Sequence, residues 1–308
     1  MISNVARRPW LSSRTELTEQ LLSQLGTVLQ IDSRLQLGGS GGPVVNLQGQ
    51  LVGISSALAA IEGYEKSAGF AIPVAPPMRR VIQTLLLGQE VEYGLMGVNP
   101  VTVGPAKMRQ LNLYDRQPSA VEIRSMPDHS PAYQDGKGIF VNDILLKIND
   151  QTLYASGDLM RVVGELPPET EVKVELYRPA RDRPDRGQVL TVRPKLGKWP
   201  VRDEGGVIAS RPKYPPWRGL RVDYPSGRKS FVELEPRFLA GVIVVDVAAG
   251  SRAAQAQLER GNVITHVQGT RVRNPEDFQQ AVQKLPGDVV LQLHVDRPGD
   301  RPSVIIKD

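Results

Sequence analysis

The feature that most constrains the fold is an internal repeat in the second half of the chain. Residues 139–179 and 258–298 match at a constant offset, so that Leu159, for example, recurs as Phe278, 119 positions later. In both copies the apolar residues follow the spacing i, i+3, i+4, i+7, which is one face of a short helix. The positions are Leu159, Val162, Val163 and Leu166 in the first copy, and Phe278, Ala281, Val282 and Leu285 in the second. The repeat predicts two copies of one compact module.

Strands are predicted on both sides of each helix. In the first copy, Ile144–Ile148 precedes the helix, and Val172–Leu176 follows it with alternating apolar and polar residues. In the second copy, Val263–Val267 and Val289–Val295 occupy the same places. The second helix is expected to begin after Asn274, whose side-chain oxygen can accept hydrogen bonds from the amide groups of the first turn.

Composition favours a mainly β chain with short helices. The 308 residues include 29 glycines and 25 prolines, an excess typical of short strands joined by many turns. Hydrophobic residues make up 40% of the chain, which excludes a disordered or fibrous protein. No run approaches the roughly 18 apolar residues of a transmembrane helix. The positive charges within residues 1–8 are followed by no apolar segment, so no signal peptide is predicted in the chain as given.

Charge and residue types exclude several kinds of site. The chain has no cysteine, which excludes disulfides, thiol catalysis and thiolate metal sites. The net charge is +5, but the densest basic cluster, residues 178–186, is interleaved with acidic residues. It is predicted to be a solvated loop rather than a nucleic-acid site. Neither H-E-x-x-H nor G-x-x-x-x-G-K-[ST] occurs in the chain, so no metal and no nucleotide cofactor is expected.

A glycine-rich stretch with one serine lies within residues 37–54, and three interpretations compete for it. A flexible linker would explain Gly38–Gly42 alone, but strand-like sequence lies on both sides. A nucleophile elbow fits Gly38-x-Ser40-x-Gly42, but that motif needs a helix directly after the serine, and here a proline and β-branched residues follow. The nucleophile loop of a chymotrypsin-like serine protease, followed by a hairpin over Val44–Val52, fits the whole stretch.

The surrounding residues resemble the HtrA/Deg family of serine proteases. Leu29–Asp32 stands where that family has I-Q-T-D, and Leu51–Ala57 is similar to its V-I-G-I-N-T-A strand. Gly69–Pro73 reads G-F-A-I-P, as in the family. Two departures occur, because Gly39 replaces the usual Asn before the serine and Leu37 replaces the usual Pro.

The resemblance implies roles for particular residues. Ser40 would be the nucleophile, and the amide groups of Gly38 and Ser40 would form the oxyanion hole. A strand over four residues would pair with the substrate backbone: Ile54, Ser55, Ser56 and Ala57.

The repeated modules resemble the PDZ domains of the same family. Gly261–Gly269 is similar to the family's G-D-V-I-x-x-V-N-G stretch, Gly241–Val247 to its preceding strand, and Asn142–Asp150 is a looser copy. By resemblance, each module adds an extended peptide to a sheet edge and holds its carboxylate on loop amides. The candidate loop residues are Gly94, Leu95, Met96 and Gly97 in the first module, and Gly219 and Leu220 in the second. The alternative is that these are ordinary turn glycines before strands.

The histidines do not fit the protease pattern. In chymotrypsin-like enzymes the catalytic His and Asp precede the serine in the chain. Here all three histidines, His129, His266 and His294, follow Ser40. His129 is predicted to be a loop residue, and the other two are predicted to lie in strands of the second module. We therefore expect the chain alone to be inactive.

The sequence thus predicts a partial chymotrypsin-like β-barrel at residues 1–90, a PDZ-like module at 91–197, a linker at 198–213 and a second module at 214–308. The function implied is that of the C-terminal portion of an HtrA-like serine endopeptidase in protein quality control, with the first part of the protease domain missing. The alternative is a non-catalytic peptide-binding adaptor. The resemblance further implies unfolded-protein or peptide substrates, a trimer-based homo-oligomer and a periplasmic or cell-envelope location.

Overall fold

The computed structural model describes residues 2–7, 28–33, 35, 38–56, 69–127, 130–133, 136–200, 212–227, 241–283, 285–294 and 302–308. It is mainly β with short helices and several antiparallel sheets, which confirms the predicted fold class. The strands are β1 (Ile2–Arg7), β2 (Val28–Ile31), β3 (Pro43–Val45), β4 (Leu51–Ser56), β5 (Gly69–Pro73), β6 (Gly94–Leu95), β7 (Asn99–Val103), β8 (Ala120–Ser125), β9 (Ile144–Ile148), β10 (Gln151–Thr152), β11 (Val174–Arg178), β12 (Gln188–Val192), β13 (Gly197–Lys198), β14 (Leu220–Asp223), β15 (Val242–Val247), β16 (Val263–Val267), β17 (Thr270–Arg271), β18 (Val289–Leu293) and β19 (Ser303–Ile306). The helices are α1 (Pro76–Leu86), α2 (Pro105–Gln110), α3 (Ser156–Gly164), α4 (Arg252–Gln255) and α5 (Pro275–Gln283).

The chain divides into two compact units. The first comprises Met1–Val91 with Gly157–Leu166, and the second comprises Glu92–Ser156 with Pro167–Asp308. Both predicted modules thus lie largely within the second unit.

The first unit contains a five-stranded antiparallel sheet in the order β1-β2-β5-β4-β3. The predicted hairpin is present, with β3 and β4 joined by a turn that Asn46 closes by accepting a hydrogen bond from the Gly49 amide at 3.0 Å. At Gly69 in β5, an added Cβ would lie 2.3 Å from the Ser33 carbonyl oxygen. The first residue of the G-F-A-I-P stretch therefore has to be glycine for β5 to approach the chain after β2.

The two repeat copies form sheets with the same order. The first is β12-β11-β9-β8-β7 with β10 paired to β9, and the second is β19-β18-β16-β15-β14 with β17 paired to β16. In the second copy, Phe278 and Val282 of α5 share a buried core with Leu220 of β14. The repeat read from the sequence is therefore a structural repeat, and Leu159, Val162 and Val163 of α3 are buried as Phe278 and Val282 of α5 are.

Some predicted boundaries are corrected by local hydrogen bonding. Strand β11 begins at Val174 rather than Val172, because the Lys173 amide donates to the Asn149 side chain and interrupts the ladder. Strand β18 ends at Leu293, so His294 lies beyond it. The predicted cap of α5 is confirmed, since the Asn274 Oδ1 atom accepts from the Asp277 amide at 2.7 Å.

The basic cluster is a solvated loop only in part. Residues 180–186 are exposed, as predicted. Arg178, however, is the last residue of β11, and its guanidinium group donates two hydrogen bonds of 2.8 and 2.7 Å to the Asp143 carboxylate. Asp143 is only 1% exposed, and Arg178 also stacks on the Phe140 ring at 4.3 Å. The loop prediction is therefore wrong for Arg178, which neutralises a buried carboxylate.

We expect Arg178→Met to lower the free energy of unfolding by about 3–5 kcal/mol, because it leaves the buried Asp143 carboxylate without its counter-charge. Arg193→Met is the matched control, since it removes the same charge from an exposed pair with Glu171 at 3.5 Å and should cost less than about 1 kcal/mol. Urea denaturation followed by circular dichroism measures both. Equal losses in the two variants would contradict the role assigned to Arg178.

Candidate functional site

Ser40 lies in an exposed turn whose shape requires glycine. Gly38 has a φ of +96° and Gly41 a φ of +88°, which side-chain-bearing residues rarely adopt. An added Cβ at either position would meet no atom within 4 Å. The glycines are therefore needed for backbone conformation rather than for space. Such a turn can direct successive amide groups towards one point, as an oxyanion hole requires.

Ser55 of β4 holds this turn in place. Its backbone accepts from the Gly41 amide and donates to the Gly42 carbonyl, both at 2.8 Å. Its buried hydroxyl lies 2.5 Å from the Gly39 carbonyl oxygen and 3.1 Å from that of Gly42. Sequence reasoning placed Ser55 in a substrate-binding strand and missed this supporting role, for which the only signal was a small polar residue in an apolar strand.

The predicted substrate-pairing strand is largely engaged within its own sheet. Ile54 pairs with Pro43 on one side and with Ile72 on the other, and Ser55 is held by the turn. Ser56 pairs with Phe70 of β5. Ser56 is the last described residue of this strand, and it lies beyond the residues that pair with β3. Ala57 lies outside the described residues.

Two of the three histidines lie among the described residues, and both have partners within the second module. His266 lies in β16, with Nδ1 2.9 Å from the Thr265 hydroxyl, and the His294 amide donates to the Val263 carbonyl. His129 lies outside the described residues. Among the residues that the structure describes, no three His, Asp or Glu side chains are grouped to hold a metal ion. In the same part of the chain, no helix has the length and apolar character needed to cross a bilayer.

The candidate loop of the first module is open. Gly94 and Leu95 form β6, which pairs with β13, and the chain then turns at Gly97 with a φ of +71°. The carbonyl groups of Met96 and Gly97 accept from the Ser130 hydroxyl at 3.1 and 2.8 Å. The amide groups of Gly97 and Val98 donate to none of the described backbone carbonyls. Strand β7, which follows, is the edge of its sheet as far as the structure describes it.

The candidate loop of the second module is closed on itself. Trp217 and Leu220 exchange two backbone hydrogen bonds of 3.0 and 2.8 Å, and one of them uses the Leu220 amide. Gly219 has a φ of +84°, and an added Cβ would lie 2.2 Å from Cβ of Ser251. The two loops, which the sequence treats as equivalent, thus differ in the availability of their amide groups.

Known proteins similar to this chain are serine endoproteases. A probable periplasmic serine endoprotease of the DegP-like type from Pseudomonas fluorescens is 26% identical over 288 residues, covering 91% of this chain and 56% of that protein. A protein of the same description from Marinomonas is 29% identical over 272 residues, covering 88% of this chain and 54% of its own length. The chain is related to the HtrA/Deg-type serine proteases. It spans about half the length of these curated relatives, and no protein-family model matches it.

Solved structures of HtrA-type proteases are also similar to the chain. The HtrA-type protease AlgW with a decapeptide is 23% identical, with a TM-score of 0.45, and the match covers 65% of this chain and 55% of that one. A serine endoprotease from Yersinia pestis is 27% identical with a TM-score of 0.36, covering 56% and 52%.

We expect Ser55→Ala to loosen the Ser40 turn, because it removes the hydroxyl that joins the carbonyl groups of Gly39 and Gly42. The global free energy of unfolding should fall by about 1–2 kcal/mol, the usual loss for one buried hydrogen bond. Hydrogen exchange of the peptide that contains Gly41 should accelerate. Ser56→Ala is the control, and exchange in the turn that is equally fast in both variants would count against the role of Ser55.

Proposed function

We propose that this chain is the C-terminal portion of an HtrA/Deg-like serine endopeptidase, with Ser40 as nucleophile and peptide-binding modules after it. The observation that carries the proposal is the similarity to serine endoproteases over 91% of the chain. The glycine-dependent turn around Ser40 supports it. The domain boundaries predicted from the sequence, at residues 90, 197 and 213, belong to this proposal.

Chemically, the turn supplies two of the three parts that acyl transfer needs. The Ser40 hydroxyl would attack the scissile carbonyl, and the Gly38 and Ser40 amide groups would stabilise the negative charge that develops on its oxygen. Ser55 holds the turn so that these groups stay aligned. The third part is a base that takes the proton from Ser40, and in chymotrypsin-like enzymes it is a histidine earlier in the chain.

A second candidate function is a peptide-binding adaptor without chemistry. The observation that favours it is the position of all three histidines after Ser40. A serine protease without its base loses about 10⁶-fold in kcat, so Ser40 alone would be nearly inert. The peptide-binding role is common to both candidates.

Peptide binding is assigned first to the module that begins near residue 91. The amide groups of Gly97 and Val98 are suited to receive a carboxylate, and the β7 edge is suited to pair with the extended residues before it. This chemistry fits the C-terminus of an unfolded polypeptide. By the same resemblance we assign a periplasmic location, protein quality control and a homo-oligomeric assembly, and no cofactor or nucleic acid takes part.

We predict that the 308-residue chain does not cleave unfolded casein above background, and that Ser40→Ala leaves the rate unchanged, because no histidine precedes Ser40. Release of fluorescent peptides from labelled casein measures the rate. Turnover that disappears in Ser40→Ala would show that another group of the chain acts as base.

We predict that the chain binds a fluorescein-labelled decapeptide ending in Val-Val-Leu with a free carboxylate. Gly97→Val should weaken this binding at least about tenfold, because a β-branched residue at positive φ distorts the loop that carries the two amide groups. Fluorescence anisotropy measures the affinity.

The matched control is Gly287→Val, which imposes the same kind of strain at a φ of +76° with open space around it, away from this loop. It should bind as the unmodified chain does. The amide-capped peptide should bind weakly to every variant. Equal peptide affinities of Gly97→Val and Gly287→Val would show that the loop at Gly97 is not part of the peptide-binding site.

A further inference from the structure

Equivalent helix positions in the two modules differ sharply in exposure. By the repeat offset, Met160 of α3 corresponds to Gln279 of α5. Met160 is 40% exposed, whereas Gln279, although polar, is only 7% exposed. Neither residue belongs to the apolar face that fills the core. Something therefore covers this side of α5 that has no counterpart over Met160.

The cover is the chain segment just before β14. The Gln279 Nε2 atom donates to the Pro215 carbonyl at 3.2 Å, and the Trp217 ring packs edge-on against Phe278 at 6.0 Å between centroids. Residues 212–217, here called the covering segment, run from this contact into the Trp217–Leu220 turn. That turn uses the Leu220 amide, which is one of the two candidate amide groups for a peptide carboxylate in this loop.

The first module holds the beginning of the same helix. The Asn274 Nδ2 atom donates to Oε2 of Glu169 at 2.8 Å. Glu169 adopts a left-handed φ of +64°, and its amide donates to the Leu196 carbonyl. Burial raises the pKa of the Glu169 carboxyl group. Glu169 of the first module, which is partly buried and has a strained backbone, therefore contacts the N-cap residue of α5.

The end of β14 is also held by a residue that precedes the second module, because Lys198 pairs with Asp223. Lys198 of β13 is 2% exposed, and its Nζ atom lies 3.1 Å from Oδ2 of Asp223 and 3.2 Å from Oε1 of Glu92. The Lys198 carbonyl also accepts from the Ser226 hydroxyl at 2.8 Å. Tyr224, next to Asp223, is buried, and its pKa is raised by burial and by the charges of Glu169 and Glu92. Asp223 and Asn274 are therefore two separate points at which residues that precede the second module hold it.

We propose that the second module is held closed by its own chain: the covering segment lies against the side of α5 that carries Gln279, Glu169 bonds to Asn274, and Lys198 pairs with Asp223. The first module then presents the open loop, and the second becomes available only when these contacts part. The inference rests on the proposed peptide-binding function of the modules, but the closure itself is measurable without any peptide.

The absence of cysteine makes closure measurable by thiol labelling. We compare Gln279→Cys with its counterpart Met160→Cys, each as a single cysteine in the full chain, by reaction with 5,5′-dithiobis(2-nitrobenzoate). Gln279→Cys loses the bond to Pro215 but keeps the Trp217–Phe278 contact and the Trp217–Leu220 turn. The thiol at position 279 should therefore react at least about tenfold more slowly, because reaction requires local opening. Equal rates would overturn the closure.

A second substitution tests what holds the module closed. Asn274→Asp keeps an N-cap oxygen for α5 but places a carboxylate against Glu169, so that like charges repel. Added to Gln279→Cys, it should raise the labelling rate several-fold. Adding Glu169→Gln should restore slow labelling, because the glutamine amide group can donate to the carboxylate introduced at position 274. Unchanged labelling in Asn274→Asp would overturn the role of Glu169, and a failure of Glu169→Gln to restore it would do the same.

Peptide stoichiometry separates this inference from the proposed function. With the Val-Val-Leu decapeptide, the unmodified chain should bind one peptide and Asn274→Asp two. At a peptide concentration that just saturates the unmodified chain, the weakened site of Gly97→Val should be largely empty, and Gly97→Val combined with Asn274→Asp should bind one peptide. Two peptides on the unmodified chain would overturn the closure alone. No binding to any variant, with the thiol at position 279 still protected, would overturn the peptide-binding proposal and leave the closure standing.

Discussion

The arrangement of the second unit depends on one buried ammonium group. Lys198 is almost completely removed from water, and its charge is tolerable only because carboxylates of Glu92 and Asp223 lie within 3.2 Å. Glu92 lies at the beginning of the predicted first module, Lys198 lies in β13 at the start of the predicted linker, and Asp223 ends β14. Loss of one partner from such a buried pair typically costs about 3–5 kcal/mol. The cluster therefore joins the beginning of the first module to the end of β14, in addition to the hydrogen bond between Glu169 and Asn274.

The parts of the fold that could be predicted are those governed by local periodicity. The spacing of Leu159, Val162 and Val163 fixes one apolar face, and the same spacing recurs around Phe278, so both helices and their sheets follow from the sequence. The cap at Asn274 was also predictable, because the side chain bonds within its own turn. The start of β11 was not, since the Lys173 amide bonds to Asn149, a residue 24 positions away that no local pattern identifies.

The site could be predicted only to the level of its turn. The turn around Ser40 was predictable because Gly38 and Gly41 adopt a positive φ, which glycine tolerates far more readily than other residues. Ser55 could not be assigned its role, since its contacts with Gly39 and Gly42 exist only after β4 has been laid beside the turn. The position of Lys198 was even less predictable. A lysine close to prolines is normally a solvated linker residue, and only the tertiary structure shows that Lys198 is buried between Glu92 and Asp223.

The two modules share one apolar pattern but differ in the exposure of the helix residues beside it. The apolar positions of the two helices match, because each helix has to bury one of its faces. The repeat preserves this apolar pattern. The opposite helix side is free of that requirement, so Met160 and Gln279 can diverge without cost to either core. At Gln279 the divergence supplies an amide that bonds to the Pro215 carbonyl, whereas a methionine has no donor for such a bond. The bond to Pro215 therefore distinguishes the side of α5 that carries Gln279 from the corresponding side of α3, while the strand order of both copies stays the same.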